Sequence, residues 1–308
     1  MSRDLIVALS GGIGGAKLAL GLSHVVAPEN LLIIANTGDD FEHLGLSISP
    51  DIDTLAYTLA GLDNQVLGWG RRDETWSFME TLETIGGPTW FRLGDRDLAL
   101  HVERTRRLKA GEALSSITAD VARRWGIGPR IVPMSDDPVR TKVLAEAGWL
   151  DFQDYFVGQQ CRPVVRQLAF EGAAQARAHP DMIAALASPR LKAVVICPSN
   201  PFISVEPILA VPGVRAALAG CGAPVIAVSP IIGGKAVKGP TAKMMAELGL
   251  EVSAAGVAAR YGALLTHYML DHQDAGATIA QTASVAQTMM RTLDDKIALA
   301  RAVLDAVA

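Results

Sequence analysis

The 308-residue sequence is poor in cysteine, aromatic residues and net charge, and each shortage closes off a class of protein. Cys161, Cys197 and Cys221 cannot all pair, and none stands at metal-ligand spacing from another. That argues against a disulfide scaffold or a zinc module and points to a reducing cytoplasm. No apolar run approaches the roughly 18 residues of a membrane span. The N-terminus has neither the basic stretch nor the small-residue cleavage site of a secretory signal. With 28 Lys and Arg against 32 Asp and Glu, the net charge is −4 and the pI about 5.9. No basic field exists to attract nucleic acid. There is no Gly-x-Ser-x-Gly nucleophile motif. The six His are scattered, and His24 and His267 read as ordinary surface or core residues.

What is present suits one large α/β domain: half the residues are hydrophobic, 19% are charged and the mean hydropathy is +0.26. Short runs of branched apolar residues recur at Leu5–Ser10, Leu31–Ala35, Ala193–Cys197 and Pro224–Val228. Further short strands are expected at Ile131–Met134 and Val164–Phe170. Helical spacing separates them, which is the pattern of a doubly wound, mainly parallel, Rossmann-like sheet. From about 54 to 125 the chain turns arginine-rich and amphipathic, and a helical lobe inserted after the second strand is expected there. The tail, Val285 to Val307, has the spacing of a packing helix. With no repeat and no linker, residues 1–308 read as a single domain.

The first strand runs into Gly11-Gly12-Ile13-Gly14-Gly15-Ala16-Lys17. Glycines permit a tight turn and a close backbone approach, and the helix that follows offers unpaired N–H groups to phosphate. The P-loop pattern fails at Lys17 and the dinucleotide fingerprint fits loosely. A plain strand–helix connection would look similar. Carboxylates and amides follow the other strands. Asn36-Thr37-Gly38-Asp39-Asp40 follows the second, and Asp51 and Asp53 stand at i and i+2 in Ser49-Pro50-Asp51-Ile52-Asp53-Thr54, on an expected loop before a helix starting near Thr54. Clustered acids beside a phosphate loop suit Mg²⁺, although one of them could simply cap that helix. Asp136 and Asp137 form another acidic pair. Arg96, between Asp95 and Asp97, suggests a surface ion-pair network. Ser199 and Asn200 lie in a proline-braced turn, where the amide could read a ligand or close an Asx turn.

In order, GGIGGAK, NTGDD, SPDIDT, WGRRDETW, RLGDRDLA, PMSDDPVRT, FQDYFVG, CPSNPF and SPIIGGKAVKGPTAKMM span Leu5 to about Asp271. This series resembles the 2-phospho-L-lactate transferase family (CofD, or FbiA in actinobacteria) of deazaflavin coenzyme F-420 biosynthesis. The resemblance implies a Rossmann-like homodimer and a Mg²⁺-dependent transfer. The donor would be a guanosine diphosphate diester of 2-phospholactate or phosphoenolpyruvate. The acceptor would be the terminal ribityl hydroxyl of 7,8-didemethyl-8-hydroxy-5-deazariboflavin, with GMP released. Carried onto this sequence, the deazaflavin contacts fall on Asp53, which would also act on the hydroxyl, and on Arg92. The metal acids fall among Asp39, Asp40, Asp51 and Asp53. The nucleotide is expected over Gly11, Gly12, Gly14, Gly15 and Lys17 and near Ser199 and Asn200. Two other readings remain at this point. A nucleotide-binding regulator of the gluconeogenesis-factor type would need the glycine loop but not the acids. An NAD dehydrogenase could use Asp39 or Asp40 for the ribose, yet lacks the glycine pattern and a placed His or Tyr.

Overall fold

A computed structural model describes residues 4–308. Seven parallel strands form its centre, numbered here in chain order: β1 (Leu5–Ser10), β2 (Leu31–Ala35), β3 (Arg130–Pro133), β4 (Leu191–Ile196), β5 (Val225–Val228), β6 (His267–Asp271) and β7 (Thr282–Ala286). Their spatial order is β7-β6-β5-β4-β1-β2-β3. The fold is thus Rossmann-like α/β. The order reverses between β1 and β4, and a ligand crevice is expected beyond the carboxyl ends of those two strands.

The strands are apolar on both faces because both faces are covered. Val7, Leu9, Leu32, Ile34, Val194 and Ile196 pack into one core, while Ile6, Ala8, Ile33, Ala193 and Val195 pack into the other. Helix α1 (Gly12–Ser23) lies on the second face through Leu18, Ala19 and Leu22. It meets the C-terminal helix Leu293–Asp305 so closely that a side chain at Gly21 would strike the Lys296 carbonyl. Between β2 and β3 the chain leaves the sheet. It forms a hairpin of Phe41–His43 with Leu46–Ile48, then α2 (Pro50–Leu59), α3 (Ser77–Thr84), α4 (Asp95–Lys109) and α5 (Leu114–Arg124).

Several expectations need correcting. The tail is not one helix: Thr282–Ala286 is the edge strand β7, and the helix begins only at Leu293, after a capping box between Thr292 and Asp295. Neither β6 nor β7 is an uninterrupted branched run, so the run-based reading passed over both. The strand expected at Val164–Phe170 is Gln167–Glu171, and it belongs to a separate antiparallel sheet with Arg140–Ala145 and Gly148–Asp151. Asp51 and Asp53 are not in a loop. Pro50 occupies the first helical position, where its missing N–H costs nothing, so both acids sit in the first turn of α2.

Candidate active site

A cavity of about 680 Å³ opens beyond the ends of β1, β4 and β5 and reaches across to α2 and α4. Gly11, Gly12, Gly14 and Lys17 line it, together with Asp39, Asp51, Asp53, Arg92, Ser199 and Asn200. Gly15 and Asp40 are absent from its wall. Gly15 is packed so tightly that a Cβ would lie 2.5 Å from Ser10 Oγ and 2.6 Å from Ser199 Oγ. Asp40 is buried behind the cavity and accepts from Ser49 Oγ at 2.8 Å.

The glycine turn has two different requirements. Gly12 has φ +64°, a left-handed conformation that other residues adopt at a cost. At Gly14 the constraint is space, because a Cβ would sit 2.4 Å from the Pro198 carbonyl. Ser199 fastens the same junction, accepting from Gly11 N at 3.1 Å and donating to Gly11 O at 2.8 Å. Asn200 Oδ1 accepts from Phe202 N at 2.8 Å, which is the Asx closure. Lys17 Nζ reaches the Met290 carbonyl at 3.0 Å. Burial pulls its pKa down, and Lys238 and Lys296 nearby act in the same direction.

Asp51 Oδ1 accepts from the Gly12 N–H at 2.6 Å, so a carboxylate already stands at the start of α1, where a helix favours negative charge. Its Oδ2 accepts from Asn36 Nδ2 at 2.9 Å, and the same amide reaches Asp39 Oδ1 at 3.1 Å. One neutral amide thus serves two buried acids. Burial pushes Asp51 up to about 6, against the lowering effect of Asn36 and the Gly12 N–H. Asp39 is raised well above the usual carboxylate range by burial and then by the charge of Asp51. Burial lifts Asp40 to about 7, although Arg140 and Ser49 oppose it.

Asp53, two residues on from Asp51, turns the other way. Both its oxygens are gripped by buried Arg104 of α4, through Nη2 and through Nη1 at 3.0 Å. Arg104 Nη1 also lies 3.3 Å from His101 Nδ1, and His101 Nε2 lies 3.2 Å from Asp97. Tyr57 OH donates to Asp97 from α2. Burial and the flanking acids push the Tyr57 hydroxyl far up, so it remains a donor. Sequence reasoning missed Tyr57, Asp97, His101 and Arg104. The available signal was the acid, imidazole and guanidinium at 97, 101 and 104, one face of an amphipathic helix. Arg96 forms no ion pair among the described residues. Its neighbour Asp95 instead accepts from Thr75 and from the N–H groups of Ser77 and Phe78. Asp136 and Asp137 are elsewhere, holding Ser115 and Arg177.

Apolar surface completes the cavity. Trp90 and Phe91 line one part and pack edge-on to each other, while Phe152 and Phe156 line another and stack at 5.3 Å. Arg92 lies over the Trp76 ring at 4.2 Å. The result is one chamber with a glycine-and-acid end and an aromatic flank, dimensioned for a small-molecule ligand.

Comparison with known proteins gives concordant results. The family model described as 2-phospho-L-lactate transferase CofD matches residues 6–305. A Streptomyces griseus protein named phosphoenolpyruvate transferase is 42% identical, covering 97% of this chain and 97% of its own length. Proteins of the same name from Thermobifida fusca and Mycobacterium tuberculosis are each 39% identical, over 89% and 86% of this chain and 88% and 86% of their own. Among solved structures, a UPF0052 family member from Bacillus halodurans superposes with TM-score 0.63 over 99% of both chains. Its 13% identity extends the likeness to the fold alone. With a model match running from β1 to the C-terminal helix, and whole-length relatives behind it, this chain belongs to the 2-phospho-L-lactate transferase CofD family.

Proposed function

We propose that this protein transfers a phosphoenolpyruvyl group, or the related 2-phospholactyl group, from a guanosine diphosphate diester to the terminal ribityl hydroxyl of 7,8-didemethyl-8-hydroxy-5-deazariboflavin. GMP leaves, and the product is a precursor of coenzyme F-420. Family membership and the names of the relatives support the transfer, and those names favour the phosphoenolpyruvyl donor. The observation that carries the site is the single cavity joining the glycine turn, the buried acids and the aromatic flank. The working protein is proposed as a cytoplasmic homodimer, in keeping with its family and its sparse cysteines.

The guanosine diphosphate end is assigned to Gly11, Gly12, Gly14 and Lys17, where the start of α1 and an ammonium favour phosphate. Gly15 and Ser199 support that turn from behind, and Asn200 borders it. Asp51 occupies the same place, and a carboxylate facing phosphate needs a cation between them. Asp39 and Asp51 fit Mg²⁺: two buried carboxylates share one amide, and ionising both without a counter-charge is unfavourable. Asp40, outside the wall, would support Asp39 rather than bind the ion itself. When bound, Mg²⁺ supplies positive charge to offset the phosphoryl oxygens.

The aromatic flank and Arg92 hold the planar ring system of the acceptor, by stacking and by donation to ring oxygens. Asp53 receives the terminal hydroxyl. As that oxygen bonds to the distal phosphorus, the bond to the GMP oxygen breaks and the hydroxyl proton passes to Asp53. Little covalent work falls to the protein, and alignment does most of it. The test is turnover with synthetic donor and deazaflavin, read by product mass. Wild type with Mg²⁺ is expected to give the phosphodiester and GMP. Asp53→Asn is expected to lower kcat about 10²–10⁴-fold. Arg92→Ala is expected to raise the acceptor KM about tenfold, equivalent to about 1.4 kcal/mol. A wild-type preparation that binds neither GDP nor deazaflavin would overturn the assignment.

A further inference from the structure

Asp53 has a neighbour of the same kind that no role yet absorbs. Asp97 and His101 face the cavity from α4 and Tyr57 faces it from α2, and one oxygen each of Asp53 and Asp97 lies within 4.8 Å of the other and of a His101 ring nitrogen. His101 is buried to 1% exposure, and its two nitrogens face different partners, Arg104 at 3.3 Å and Asp97 at 3.2 Å. Arg104 is donor-only, so His101 Nδ1 must accept from it. That places the ring hydrogen on Nε2, toward Asp97. Arg104 contacts both the imidazole and Asp53, Tyr57 donates to Asp97, and His101 Nε2, which has no other partner among the described residues, stands 3.2 Å from Asp97. Both carboxylates are thus aimed from two helices into one cavity. Such a triad of two acids and an imidazole is also a set that could take a cation. The guanidinium gripping both oxygens of Asp53 places a positive charge there already, which opposes a second one.

A carboxylate oxygen has two acceptor positions, so Asp97 and Asp53 each keep capacity beyond the donors they already have. We propose that Asp97 is a second hydroxyl-binding carboxylate beside Asp53, and that His101 is the positioning residue that sets it, so the two acids grip successive hydroxyls of one polyol chain. This rests on the acceptor reading above and makes the site selective for a polyhydroxylated chain rather than for a terminal hydroxyl alone. A hydrogen bond to a charged group is stronger than one between neutral groups, enough for roughly tenfold in binding.

The test compares two acceptors, the ribityl deazaflavin and an analogue whose ω-hydroxypentyl chain keeps the terminal hydroxyl and lacks the others. Binding is read by deazaflavin fluorescence and turnover by product mass. Wild type is expected to bind the ribityl compound more tightly. Asp97→Asn is expected to weaken that compound about tenfold while leaving the analogue within about twofold. His101→Ala should follow Asp97→Asn, and His101→Gln, which retains a donor, should recover part of the loss. Equal weakening of both acceptors, or of neither, overturns the proposal. Should Asp97→Asn fail to fold, the His101 pair decides by the same selectivity. If wild type binds and converts both acceptors with no preference for ribityl, this proposal falls and the transferase reading stands. If it binds neither, both fall.

Discussion

Asp40 shows how a single buried carboxyl can set a pH response. Its side chain accepts from Ser49, its other oxygen has no partner among the described residues, and burial lifts it to about 7. An unfolded Asp ionises near its ordinary value of 3.8, so between about 4 and about 7 the folded state binds more protons. Stability is then full below the lower value and declines as pH rises through the upper one. Asp51, at about 6, adds to the same trend. In cation-free buffer the wild-type Tm is expected to fall across this window, and Asp40→Asn, which cannot ionise, should fall less. Identical slopes for the two proteins would remove Asp40 from the account.

Helix α4 is attached to α2 by charge as much as by apolar contact. Arg104 is 3% exposed and pairs with Asp53 across the two helices. Arg104→Met should cost about 3–5 kcal/mol, because it leaves a buried carboxylate without its counter-charge. Adding Asp53→Asn should return part of that loss, since the double change removes the stranded charge. Urea denaturation of the single and double variants measures it, and additive losses would refute the coupling. At the start of α1 the controlling force is contact rather than charge. Gly14→Ala would drive a methyl against the Pro198 carbonyl, and a loss of about 1–3 kcal/mol is expected. Gly12 has room, with Ser204 Oγ at 3.9 Å from an added Cβ, yet its φ of +64° penalises a side chain by about 1–2 kcal/mol. An unchanged urea midpoint for Gly14→Ala would mean that the Pro198 turn yields freely.

The cavity wall is assembled from segments far apart in the chain, from Gly11 to Met290, so ligands should stabilise the fold as a unit. A ligand that binds only the native state adds about 2.7 kcal/mol at a hundred times its Kd. GDP with Mg²⁺, and deazaflavin separately, are each expected to raise Tm in a concentration-dependent way, while NAD is expected to leave it unchanged. An equal shift with NAD would favour the dehydrogenase alternative. Among the described residues no helix is long and apolar enough to cross a membrane.

The runs at Leu5–Ser10 and Leu31–Ala35, and the later ones near 194 and 226, determined the parallel sheet from the sequence alone. Strands covered on both faces must be apolar throughout, and that leaves a plain mark in a linear chain. The glycine turn was equally legible, because backbone approach to a ligand or to another loop demands glycine. The partners of each acid were not legible. Asp51 and Asp53 look alike at i and i+2, but the first turn of a helix sends them about 200° apart. One meets Gly12 and Asn36, the other Arg104 from 51 residues away. The pattern at 97, 101 and 104 marked one face of α4 but not its partner, because only the fold brings that face against Asp53 and Tyr57 of α2. Residue type and local period are written along the chain. Which carboxylate is paired, shared or left facing a ligand depends on desolvation and on neighbours distant in sequence, and only the folded chain supplies both.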